Sequence, residues 1–161
     1  MSEALASDSV APAAAFGTAP TVRITRLYEA CPQAVFDAWT KPDQLSQWLC
    51  PYDLKVAKVE LDLRVGGAYS IVMRGEDDHE HHGVFEVIEP PQRLVMSWAG
   101  GGLKGVESRL TIGIEAAETE SGRQGARMTL IHERFPDAET SANYQSGWNS
   151  AFDKLALALD A

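Results

Sequence analysis

The chain has 161 residues, with 14 Lys and Arg against 23 Asp and Glu, for a net charge of -9. That balance argues against nucleic acid and anionic membrane surfaces as partners, since both are held by clustered Lys and Arg. A chain of this length is one domain by default, with a core large enough to enclose a cavity, and no apolar run approaches the roughly 20 residues that span a bilayer.

Met1 to Pro20 is rich in Ala, Ser and Pro and contains no Lys or Arg. It lacks the basic start of a signal peptide and the arginines of a transit peptide. The expectation is a disordered tail over 1–20, a single domain over 21–161 and a cytoplasmic protein. Val22 to Tyr28 alternates and predicts a first strand. Pro32 suits the first turn of a helix, and Val35, Phe36 and Trp39 continue it at helical spacing to Trp39. Thr40 to Asp43 reads as a break, and Gln44 to Leu49 as a second short helix ended by Pro51.

Leu54 to Leu63 reads as extended, Gly66-Gly67 as a turn, and Ala68 to Arg74 as a strand. Val84 to Ile88 and Leu94 to Trp98 predict two strands flanking Pro90-Pro91, because proline ends a ladder and keeps its predecessor extended. Gly100 to Gly105 reads as a flexible turn. Val106 to Glu115 and Ala126 to Arg134 alternate cleanly and read as strands. A long helix then follows Pro136-Asp137, with a stripe of Gln145, Trp148, Phe152, Leu155 and Leu159. The pattern predicts an α+β domain in which a curved antiparallel sheet, wet on one face, grips that last helix.

Few residues carry chemistry. Cys31 and Cys50 have neither metal nor redox spacing and read as free thiols, with a disulfide as the alternative. His79-Glu80-His81-His82 reads as a solvated hairpin tip; its alternative is a strand placing His79 and His81 on one face as two metal ligands. Gly100 to Gly105 matches G-x-G-x-x-G, but a strand follows rather than a helix, so the dinucleotide reading fails. His132 shares the inward face of Met128 and Leu130, as a core residue or as a polar anchor for a ligand. Trp48, Tyr69, Met73, Met96, Trp98, Met128, His132, Trp148 and Phe152 form the candidate cavity set. No nucleophile elbow or metalloprotease motif occurs, and neither a metal nor a cofactor is expected.

Several segments, taken in order, resemble the heat shock protein 90 ATPase activator homologue family. They are Ala34 to Trp39 with Trp48, Leu63 to Tyr69, Gly83 to Trp98, Met128 to Glu133 and Gly147 to Leu155. That family sits in the START-like (SRPBCC) superfamily, which has the helix-grip fold of the birch pollen allergen. The resemblance implies a six- or seven-stranded sheet wrapped around the last helix, with two short helices after the first strand. It also implies a cavity for a small hydrophobic or amphipathic molecule. Three functions follow as expectations: a binder of a small apolar or aromatic ligand, a cyclase, aromatase or hydrolase working in the same cavity, and a module that binds a chaperone. Neither the ligand nor the oligomeric state is legible.

Overall fold

Alternation in the sequence builds seven strands, and helical periodicity builds three helices. In chain order they are β1 (Val22–Tyr28), α1 (Pro32–Thr40), α2 (Pro42–Leu45), β2 (Lys55–Leu61), β3 (Ala68–Arg74), β4 (Asp78–Glu89), β5 (Arg93–Gly100), β6 (Ser108–Glu118), β7 (Gln124–Glu133) and α3 (Ala138–Asp160). The computed structural model describes residues 21–160; the expected tail over 1–20 and Ala161 lie outside the described residues. One antiparallel sheet contains all seven strands in the order β1-β7-β6-β5-β4-β3-β2. This is the α+β helix-grip arrangement, with α3 packed across the inner face of a curved sheet.

Register explains the core. Leu94 pairs with Ile112 and Met96 with Leu110 between β5 and β6. Ile112 pairs with Leu130, and Leu110 with His132, between β6 and β7. All of these side chains are buried on one face, because side chains alternate along a strand with a period of two. Helix α3 covers that face with Trp148, Ala151, Phe152 and Leu155. Polar ties fix its position. Arg26 on β1 donates to Asp153 Oδ1 at 3.0 Å and to the Asn149 carbonyl at 3.2 Å, with its guanidinium 5.9 Å from the Phe152 ring centroid. Asp137 caps the helix by accepting from the Thr140 amide at 2.8 Å.

Three expectations need correction. The second short helix begins at Pro42 rather than after it, and ends at Leu45 rather than Leu49. Lys41 is extended and serves both as the C-cap of α1 and as the N-cap of α2. Pro42 therefore starts a helix, where its missing N–H costs nothing. The histidine run is not a hairpin tip: β4 starts at Asp78, and His81 is only 6% exposed. Pairing with β3 explains this, since Met73 faces His79 and Ile71 faces His81 in the ladder. Gln145 is exposed, and Tyr144 turns inward instead. The inward arc of α3 runs through Ser141, Tyr144, Trp148, Ala151 and Leu155, at steps of three and four.

Candidate functional site

Four tryptophans organise the space between the sheet and α3, and each indole N–H has a partner. Trp39 Nε1 donates to Met128 Sδ and Trp48 Nε1 to the Ala38 carbonyl. Trp98 Nε1 donates to Tyr144 Oη at 3.3 Å, and Trp148 Nε1 to His132 Nδ1 at 3.1 Å. Trp39 and Trp48 meet edge-to-face at 4.8 Å, while Trp148 stacks on Phe152 at 5.5 Å. Satisfied donors allow such large rings to be buried without desolvation loss.

His132 is entirely buried and fully used. Its Nδ1 accepts from Trp148, so the proton sits on Nε2, which lies 2.7 Å from Ser108 Oγ. Ser108 then donates to the Trp98 carbonyl at 2.6 Å. Burial pushes the imidazole down to about 3, and nearby His81 adds to the effect, so the ring is neutral at ordinary pH. This is a packed structural histidine linking β5, β6, β7 and α3.

Beside this network lies a recess of about 310 Å³. Leu49, Pro51, Tyr52 and Leu54 form one wall; Met73, His79, His81 and Trp98 form the sheet side; Gly101 and Gly102 lie across it; and Asn143, Tyr144, Gly147, Trp148 and Ala151 form the helix side. Of the nine predicted cavity residues, Met73, Trp98 and Trp148 line this recess. Trp48, Tyr69, Met96, Met128, His132 and Phe152 are packed into the adjoining core. Tyr69 there donates its hydroxyl to the Ser97 carbonyl, and burial raises its pKa far above the ordinary value.

The loop wall is fastened to α3. Lys154 Nζ donates to the carbonyls of Cys50 at 2.7 Å and Tyr52 at 2.5 Å. The Tyr52 amide donates to Ser150 Oγ at 2.8 Å, and its hydroxyl bonds Ser146 Oγ at 2.6 Å. Tyr52 adopts φ 54 within this cluster of contacts. The glycine loop is fastened from the other side. Tyr144 donates to the Gly101 carbonyl at 2.7 Å, and Lys104 pairs with Asp137 at 2.6 Å. The Lys104 hydrogen bond, with those from Thr140, holds the Asp137 carboxyl well below the usual range. Leu103 is fully buried and anchors the loop.

No Asp, Glu, Lys or Arg lines the recess among the described residues. Its wall is apolar and aromatic, with His79 and Asn143 exposed and His81 buried. No cluster of three His, Cys, Asp or Glu could hold a metal among the described residues. Cys31 and Cys50 are both free; Cys31 is exposed and Cys50 is buried. Tyr144, Gly147, Ala151 and the loop residues were missed from sequence. The steps of three and four on α3 carry that signal for Tyr144 and Ala151 once the stripe is set through Ser141 rather than Gln145.

The architecture recurs in solved structures. A Chromobacterium violaceum protein is 27% identical, with a TM-score of 0.76 over 88% of this chain and 97% of its own. The AHSA1 protein of Silicibacter pomeroyi is 30% identical, with a TM-score of 0.74 over 88% of this chain and 100% of its own. A Rhodobacter sphaeroides protein shares the fold at 22% identity, with a TM-score of 0.71 over 89% of this chain and 95% of its own. No curated protein matches the chain. No described helix is long and apolar enough to cross a membrane. Residues 29–160, which run from just after β1 to the end of α3, match the family described as Activator of Hsp90 ATPase homolog 1-like protein, and the chain belongs to that family.

Proposed function

We propose that this protein binds a small, neutral, apolar or aromatic molecule in the recess between the sheet and α3. One observation carries the reading: an open space of about 310 Å³ walled by Trp98, Trp148, Tyr144, Met73, Leu49 and Leu54, without an Asp, Glu, Lys or Arg side chain among the described residues. Binding sites for small molecules have this character, an apolar wall with a few polar groups. Affinity comes mainly from apolar burial, at about 25 cal/mol per Å² before ordering costs. A charged ligand would lose its hydration there without gaining a partner.

Catalysis of cyclase, aromatase or hydrolase type in this cavity would depend on His132. Both nitrogens of that ring are committed to Trp148 and Ser108, so it has none free to move a substrate proton. A chaperone partner is the second reading, favoured by Leu63, Val65 and Val84, which are exposed near the turn between β2 and β3. A pull-down with heat shock protein 90 that recovers nothing removes it.

The binding reading is tested with Gly147→Leu. A Cβ at Gly147 meets Pro51 at an ordinary 3.5 Å, and Leu improves helix propensity by about 0.8–1 kcal/mol. The variant is expected to fill part of the recess, and a cooperative thermal unfolding transition checks that it is folded. Titration calorimetry with 1-naphthol shows binding to the wild type and at least a tenfold loss in the variant. Equal binding to both proteins places the probe elsewhere and overturns the reading.

A further inference from the structure

The polar groups around the recess can be accounted for one by one. Trp98 Nε1 is taken by Tyr144, and Trp148 Nε1 by His132. The Tyr144 hydroxyl donates to Gly101, and the Tyr52 hydroxyl is bonded to Ser146. His79 and Asn143 are exposed at the rim. His81 differs from all of these. It is 6% exposed, it lines the recess, and its Nδ1 is buried without a hydrogen-bond partner in the protein. An unmade hydrogen bond at a buried nitrogen is a standing penalty, and such groups are rare enough to require a reason.

We propose that His81 is the polar reader of the recess, and that the occupant is a neutral aromatic molecule bearing one hydroxyl group. This rests on the binding reading above. Several features of the fold hold the ring there. Ladder pairing places His81 opposite Gly100 on β5, where φ is +92. A Cβ at Gly101 would fall 1.9 Å from His81 Nε2, so only glycine lets the loop close over the imidazole. The ring also packs 5.1 Å from Trp98, centroid to centroid.

Burial, together with neighbouring His79 and His82, pushes the imidazole down to about 4 against the opposing pull of Glu80 and the His79 backbone, so it is uncharged at neutral pH. A neutral imidazole has one donor and one acceptor, which suits a hydroxyl and does not attract an anion. Of the two ring nitrogens, Nδ1 is the one buried without a partner, and it is the atom available to a hydroxyl. The volume equals roughly ten waters at about 30 Å³ each, which is room for a one- or two-ring molecule.

The test compares 1-naphthol with naphthalene, which differ by the hydroxyl alone. Calorimetry on the wild type gives roughly tenfold tighter binding of 1-naphthol, the scale of one net hydrogen bond. His81→Leu brings the two affinities together, and a cooperative thermal unfolding transition shows that the variant is folded. His81→Asn, which retains a polar group near Nδ1, restores part of the preference. Nitrogen-15 spectra of the wild-type imidazole shift with 1-naphthol and not with naphthalene, and this needs no variant. Equal wild-type affinities, or a preference that survives His81→Leu, overturn the role of His81 and leave the binding reading standing. If neither probe binds the wild type, both fall.

Discussion

Trp148 Nε1 lies 3.1 Å from His132 Nδ1, and this contact sets the protonation of the imidazole. An indole nitrogen only donates, so Nδ1 must accept and Nε2 must carry the proton. The chain then continues through Ser108 to the Trp98 carbonyl without an unpaired group. Ser108→Ala cuts it in the middle, leaving His132 Nε2–H unpartnered and removing the side-chain bond to the Trp98 carbonyl. The expected loss is about 1–3 kcal/mol in denaturant unfolding. A change below about 0.5 kcal/mol would mean that the network contributes little.

Stability depends on pH through two buried histidines. His132 is pushed down to about 3 and His81 to about 4, in both cases chiefly by burial. The unfolded chain takes up protons near the ordinary value of about 6.5 while the folded state does not. Stability is therefore full above about pH 6.5 and falls as the pH drops toward 4. The slope is about 1.4 kcal/mol per pH unit for each histidine. Urea melts at pH 7.5, 5.5 and 4.5 check this. His132→Gln flattens the profile by about half, and an unchanged profile would contradict the assignment.

Gly101→Ala is expected to destabilise the protein. The added Cβ meets the His81 ring at 1.9 Å, and φ of +46 suits glycine. The cost is about 1–3 kcal/mol. Gly102→Ala has open space around its Cβ but φ of +83, so only backbone strain applies and its loss is smaller. Thermal unfolding of the pair that reversed this order would remove the contact between Gly101 and His81 from the account.

The two cysteines differ in reactivity. Cys31 is exposed. Cys50 is buried, and burial pushes its thiol up to about 11, although Lys154 pulls the other way. The thiolate is the reacting form. A disulfide reagent at pH 8 titrates Cys31 quickly and Cys50 at least a hundredfold more slowly, with both reacting in denaturant. Equal native rates would show that the Leu49 to Leu54 wall is open in solution.

Much of the fold was legible because it follows from periodicity. Alternation placed His132 inward beside Met128 and Leu130, and the structure has all three fully buried. Pro90-Pro91 marked the junction of β4 and β5, and Pro32 marked the start of α1. The histidine run misled because Asp77 to His82 is polar enough to imitate a turn. Its period of two was present, with His79, His81 and Phe85 on one side. Less of the recess could be read. Its wall uses loop residues such as Pro51, Tyr52 and Gly101, which have no periodic signature, and a flank of α3 centred on Tyr144, Gly147 and Ala151. Aromatic and methionine side chains announce burial, but whether they fill a space or border one depends on packing distances that sequence does not carry.

Native mass spectrometry of the freshly purified protein tests the central claim most directly. The expected result is a wild-type chain carrying one small molecule that is lost on denaturation, or one taking up a single 1-naphthol on incubation. Gly147→Leu should do neither. A bare chain mass in the wild type, both fresh and after incubation, would contradict the claim that the recess is a binding site.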